Sequence, residues 1–236
     1  MALPKVTAPT YELELPSTGK KIKYRPFLVK EEKVLLIAMD SNDEKQIQQA
    51  LVDTIKACVV TRGVKPEELP SFDLEYLFLR IRAASVGEEI TLNVKCMDDE
   101  NTQVSHTINI NDVEVIKPEG HTDKVMITDK VGVIMKYPSL KQFVETQFVK
   151  DAELDGMNIV INSIDQIFEG DEVTEAKDCT KKELTSFVES LTSEQFKEMS
   201  NFFATMPKLS HTFEVTNPNT GKSSTYTIEG LQSFFG

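Results

Sequence analysis

Apolar and polar positions alternate at both ends of the chain, and between the ends they recur at three- and four-residue spacing. Thr10–Leu15 alternates, with Tyr11, Leu13 and Leu15 on one face. Ser17-Thr18-Gly19 turns the chain, and Lys21–Pro26 follows, so the pattern predicts a hairpin that Pro26 ends. Val29–Met39 reads as a helix with Glu31 and Glu32 near the positive end of its dipole. Asp43 caps a second helix carrying Ile47, Leu51, Ile55 and Cys58 at helical spacing. A third, starting at Ser71 or Asp73, places Leu74, Leu77, Phe78, Ile81 and Ala84 on one face and closes at Gly87. Glu89–Cys96 and Gln103–Ile110 alternate around a polar turn and predict a second hairpin, which Val113–Ile116 extends.

The second half repeats the order. Lys124–Thr128 and Val131–Tyr137 form a hairpin around Asp129-Lys130. Ser139 caps a short helix with Leu140, Phe143 and Val144. A stronger helix carries Met157, Val160, Ile161, Ile164, Ile167 and Phe168 and stops at Gly170. Thr180 with Glu183 and Thr192 with Gln195 have capping-box spacing before two further helices. Leu209–Val215, the turn Asn217–Gly221 and Ser224–Ile228 form the closing hairpin. The fold class is therefore α+β, in two similar halves, 1–118 and 119–236. Each runs β-hairpin, helices, then a degenerate zinc-ribbon-like β-hairpin. Lys23-Tyr24-Arg25-Pro26 resembles Lys136-Tyr137-Pro138, and Leu92–Cys96 resembles Phe213–Asn217, which suggests a distant internal duplication.

Charge narrows the function. The formal net charge of the 236 residues is -12, so the average field repels a phosphate backbone. The basic clusters Lys20-Lys21-Ile22-Lys23 and Lys181-Lys182 carry no aromatic stacking platform, and no nucleic-acid partner is expected. No stretch approaches the ~20 apolar residues of a membrane span. Met1-Ala2-Leu3-Pro4-Lys5 lacks the regions of a signal peptide. Three widely spaced cysteines, Cys58, Cys96 and Cys179, suit a reducing cytosol.

Candidate chemistry is sparse. Asn217-Pro218-Asn219-Thr220-Gly221 has the shape of a zinc knuckle without its sulfurs, and the matching turn in the first half keeps Cys96 alone. A structural zinc needs four deprotonated ligands, so no metal is expected. His106, His121 and His211 are scattered and read as surface or half-buried. The acidic groups Asp98-Asp99-Glu100, Asp151/Glu153/Asp155 and Glu169/Asp171/Glu172 read as solvated turns. No phosphate-binding glycine loop and no Gly-x-Ser-x-Gly is present. No catalytic residue and no cofactor is therefore expected. A hydrolase with an unrecognised site would need His, carboxylate and hydroxyl groups converging in a deep pocket. Leu231, Phe234 and Phe235 form a bulky apolar cluster at the end of the chain; they either fold back on the core or dock on a partner, and are the candidate partner-binding residues.

Tyr24-Arg25-Pro26-Phe27-Leu28, Lys30-Glu31-Glu32-Lys33 and Leu35-Leu36-Ile37-Ala38 resemble the start of the T4-like bacteriophage baseplate family. So do Asp73–Arg82 with Ala83-Ala84-Ser85-Val86-Gly87, and the closing hairpin with Ile228-Glu229-Gly230-Leu231 and Phe234-Phe235. The resemblance implies cysteine pairs at the two knuckle turns, of which this sequence keeps only Cys96. It also implies a non-enzymatic protein that binds other baseplate hub proteins. Such a protein would be an assembly factor for hub subunits in the infected host cytoplasm, or a permanent structural subunit of the tail baseplate.

Overall fold

A computed structural model describes residues 6–41, 43–139, 142, 152–230 and 233. Among them are six α-helices and eleven strands in small antiparallel sheets, an α+β fold. The chain forms two compact units. One comprises Met1–Pro66, Phe72–Ile116 and Lys208–Gly236; the other comprises Glu67–Ser71 and Lys117–Pro207.

In the first unit, β1 (Tyr11–Glu14) and β2 (Lys21–Tyr24) form the expected hairpin. Its turn is fixed by Asp73, which is fully buried and accepts hydrogen bonds from the Ser17 N–H and hydroxyl. Helix α1 (Val29–Asp40) follows and packs against α2 (Glu44–Cys58), whose N-cap Asp43 accepts the Lys45 and Gln46 N–H groups. Helix α3 (Ser71–Val86) is apolar on most of its circumference, with Leu74, Leu77, Leu79 and Ile81 wholly buried. A helix apolar all round belongs in a core.

Strands β3 (Glu89–Cys96) and β4 (Asp99–Asn109) pair around the Cys96 turn. Strand β5 (Glu114–Ile116) does not extend this hairpin as the sequence pattern suggested. It pairs with β10 (Lys208–Thr216), which pairs in turn with β11 (Ser223–Glu229), in the order β11-β10-β5. The short 3-10 turn Ile110–Asp112 breaks the run of β4 and redirects the chain, with Val113 buried beyond it. The two hairpins then share one core. Ile90, Leu92 and Ile108 meet Leu209, Phe213 and Val215, with Leu79 of α3 and Val113 between them.

In the second unit, β6 (Lys124–Met126) and β7 (Val131–Met135) form the expected hairpin. Helix α4 (Ala152–Asn162) ends eight residues before Gly170. Ile164, Ile167 and Phe168, expected on that helix, lie instead on β8 (Ile164–Glu169). Their i, i+3, i+4 spacing fits a helix, but a register shift opposite Ile134 and Met135 lets Ile164 share a face with Ile167 in a strand, and pairing decides: β7 takes β8 as its second neighbour, and β8 takes β9 (Glu172–Glu175), giving the sheet β6-β7-β8-β9. Gly170, at φ 60, makes the two-residue turn between β8 and β9. Helices α5 (Lys181–Glu189) and α6 (Ser193–Thr205) begin at the expected capping boxes. Their faces cover the sheet through Val188, Met199 and Phe202 against Val133, Met135 and Ile164.

The halves read from the sequence, 1–118 and 119–236, differ from these units in two respects: Glu67–Ser71 belongs to the second unit and Lys208–Gly236 to the first. The β5–β10 pairing draws the last hairpin into the unit of the first half. Strand order also differs between the halves, which counts against an internal duplication. Leu140, Phe143 and Val144 of the expected short helix lie outside the described residues.

Candidate functional site

Three places carry candidate chemistry: the two knuckle turns, the histidines, and the outer face of α1. The turns come first because the fold brings them together. Asn217 is buried, and its Oδ1 accepts the Asn219 N–H at 2.8 Å while its carbonyl accepts the Gly221 N–H at 2.8 Å. Gly221 sits at φ 72, a conformation that favours glycine. Across from it, Asp98 in the β3–β4 turn accepts Asn217 Nδ2 at 3.0 Å and the Thr220 hydroxyl at 2.5 Å. Asn219 Nδ2 donates to Thr102 Oγ1 at 2.8 Å, and Thr102 donates to Asp99. A second tie stands beside this clasp. The Tyr226 hydroxyl accepts the Met97 N–H at 2.9 Å and donates to the Lys95 carbonyl at 2.8 Å.

These residues do not fit a metal. Cys96 is the one thiol of the two turns; burial, then Asp98 and Asp99, push its pKa up and keep it protonated. Asp98 is engaged instead as a hydrogen-bond acceptor: the bonds from Asn217 and then Thr220 hold its carboxyl below the usual carboxylate range. Among the described residues no three His, Cys, Asp or Glu side chains are grouped to hold an ion. The turns meet through carboxamide and hydroxyl donors around one carboxylate.

The histidines do not converge. His106 stacks on Phe213 with ring centroids 4.5 Å apart, and His211 stacks on the same ring at 5.9 Å with its Nδ1 3.3 Å from the Asp112 carbonyl. His121, expected at or near the surface, is buried. Its Nδ1 meets Thr205 Oγ1 at 3.0 Å and its Nε2 meets the Tyr137 hydroxyl at 2.9 Å, with Phe202 beside the ring. Burial, and then Lys117, pushes its pKa down, with Asp123 opposing. Thr205 already donates to the Asn201 carbonyl, so the neutral ring fits with Nδ1–H donating and Nε2 accepting. This arrangement packs α6, through Phe202 and Thr205, against His121 and Tyr137.

Helix α1 is the feature the sequence reading passed over. Val29, Lys33, Leu36 and Ile37 fall at i, i+4, i+7 and i+8, which is one face. Val29 is 81% exposed, Leu36 60% and Ile37 59%, with Val34 and Met39 also exposed. The opposite face carries Glu31 and Ala38, and both are buried. The polarity of the helix is inverted: a carboxylate points inward and branched aliphatics point outward. Glu31 tolerates this because its Oε2 accepts the Leu28 N–H at 2.6 Å and its carboxylate meets Arg25 at 3.2 Å. Burial alone would raise its pKa, but Arg25 and the Leu28 N–H outweigh that and hold it below the ordinary value. The signal was available in the unbroken apolar run Val34–Met39, which leaves the helix no polar stripe.

Other candidates are dispersed. Glu169, Asp171 and Glu172 surround the exposed β8–β9 turn. Asp151 and the side chains of Glu153 and Asp155 lie outside the described residues, as do Leu231, Phe234 and Phe235. Among the described residues no helix is long and apolar enough to cross a membrane.

Comparison with known proteins gives one match. The family model of the T4 bacteriophage base plate protein matches residues 8–236. No curated protein and no solved structure matches the chain.

Proposed function

We propose that this chain, which belongs to the T4 bacteriophage base plate protein family, works by binding other baseplate proteins and not by catalysis. The observation that carries this reading is the outward apolar face of α1. Large apolar patches on soluble proteins mark interaction sites. Burying a Val, Leu or Ile side chain fully contributes roughly 1.5–3 kcal/mol, so covering Val29, Leu36 and Ile37 supplies a substantial driving force. Lys33 within the face and Lys30 beside it, both exposed, keep it hydrated until a partner arrives.

The finer role is that of an assembly factor for hub subunits in the infected host cytoplasm, covering their exposed apolar surface and sheet edges until the correct partner binds. The second reading, a permanent structural subunit, is favoured by the family's own description as a base plate protein. Co-expression with the neighbouring tail genes and affinity purification tests the binding. Leu36→Glu with Ile37→Glu should abolish the complex while circular dichroism and melting stay unchanged. Full retention of the complex would overturn the role given to α1. Mass spectrometry of finished particles separates the two roles: a stoichiometric signal refutes the transient factor.

A further inference from the structure

The direction of the backbone groups along β3 leaves one of its edges open. In an antiparallel pair, successive residues point their N–H and C=O groups alternately toward the partner strand and away from it. Ile110 N–H donates to the Glu88 carbonyl at 2.7 Å, so the even-numbered residues of β3 face β4. The odd-numbered ones face away. Two side-chain pairs agree, since Thr91–Thr107 at 3.1 Å and Asn93–Ser105 at 2.8 Å are the close contacts of non-hydrogen-bonded positions. At Lys95 the outward carbonyl is taken by the Tyr226 hydroxyl. Among the described residues, the outward N–H and C=O groups of Thr91 and Asn93 have no partner, and β3 has no strand neighbour but β4.

Beside this edge lies an open hollow of about 330 Å³ in the first unit, lined by Leu92, Asn93, Val94, Lys95, Tyr226, Ile228 and, near the end of the chain, Ser233. Four consecutive β3 residues line it, which means the hollow runs along the backbone edge and not only over a face. β11 contributes only the alternate side chains Tyr226 and Ile228.

We infer that β3 accepts a strand from another baseplate protein. An extended segment would pair with Thr91 and Asn93, antiparallel or parallel, and send one apolar side chain between Leu92, Val94, Tyr226 and Ile228. Backbone groups at two-residue spacing are complementary to another extended backbone and to nothing smaller, and strand addition is an established recognition mode. Natural proteins usually block such edges; here Tyr226 blocks only the end next to the turns. This contact is separate from α1, and it rests on the reading that the chain binds baseplate proteins.

Amide exchange on the free chain comes first. Thr91 and Asn93 should exchange faster than Leu92 and Val94, and their protection in the free chain would show that the protein covers its own edge, overturning the inference. Asn93→Pro comes next. Proline is tolerated on an edge where the N–H faces outward, so the β3–β4 ladder stays intact while the added strand is blocked. The variant should weaken the complex with co-expressed baseplate proteins by roughly tenfold or more, while Asn93→Ala, which keeps the N–H, binds normally. Equal binding by both variants overturns the inference. Should Asn93→Pro fail to fold, exchange in the wild-type complex decides: Thr91 and Asn93 become protected or the inference falls. Loss of binding in the α1 variant with normal binding by Asn93→Pro would leave the α1 reading standing and remove this one.

Discussion

Gly132 of β7 faces Phe168 of β8 in the sheet register, and the Phe168 ring occupies the space where any other residue would place its Cβ. A Cβ built at Gly132 would lie 2.2 Å from Phe168 Cζ. Lys124 completes the arrangement with its Nζ 4.9 Å from the ring centroid. The glycine is thus a seat for an aromatic ring, a known way of stabilising a glycine in a strand. Gly132→Ala should destabilise the protein by about 1–3 kcal/mol, the usual range for overpacking. In Phe168→Ala the same substitution should cost little, because the clash is gone. Urea denaturation of both single variants and the double variant checks this coupling.

That pair also shows where sequence reading stops. Capping boxes at Thr180 and Thr192, the Asp43 cap and the alternation of β3, β10 and β11 are local signals, and the structure bears them out. Ile164, Ile167 and Phe168 have helical spacing, and only the long-range pairing with β7, through a register shift at Ile134 and Met135, makes them a strand. The β5–β10 pairing spans roughly ninety residues of chain and has no local signature. Among the site residues, the knuckle-like turns were legible as turns. Their meeting through Asp98 was not, because hydrogen bonds between distant loops leave no periodic trace. The α1 face was legible in composition, but a run of aliphatics looks the same whether it faces a core or a partner.

Acid should loosen the second unit through His121. Burial depresses its folded pKa below the ordinary value of 6.5. The unfolded chain therefore binds a proton at higher pH than the folded protein does. Stability from this group is complete above about pH 6.5 and declines as pH falls through that value toward the folded pKa. His121→Gln removes the titration. The difference in urea midpoint between wild type and variant should shrink from pH 7.5 to pH 5.5, and a constant difference would show that the imidazole does not titrate against folding.

Thiol chemistry should single out one cysteine. Cys58 is wholly buried, and burial pushes its pKa up to about 11; Arg25 draws it down and Glu31 adds to the rise. Cys96 is buried as well, whereas Cys179 is partly exposed with its thiol 3.7 Å from the Glu175 carbonyl. Reactivity needs thiolate and access together. A disulfide reagent at pH 8 should modify Cys179 rapidly in the native protein and all three cysteines in denaturant. Peptide mapping that finds native Cys58 modified first would contradict the burial of the β2–α2 region.

The clasp between the knuckle turns predicts a junction that depends on protons and not on metal. A chelator should leave the melting temperature unchanged, since among the described residues no zinc-competent ligand set is assembled around Cys96. Asn217→Ala removes the donor to Asp98 and the acceptor for Asn219, and for this buried carboxamide a loss of about 1–3 kcal/mol is expected. Asp98 gives the sign of the pH effect. Hydrogen bonds from Asn217 and Thr220 depress its folded pKa below the ordinary 3.8, so the unfolded chain takes up the proton first as acid is added. The stability it contributes is present above about pH 4 and is lost as pH falls through the folded value. Asp98→Asn should therefore be less stable than wild type at pH 7, with the gap closing below pH 4. A gap that widens in acid would mean the carboxylate is not the acceptor that holds the two turns together.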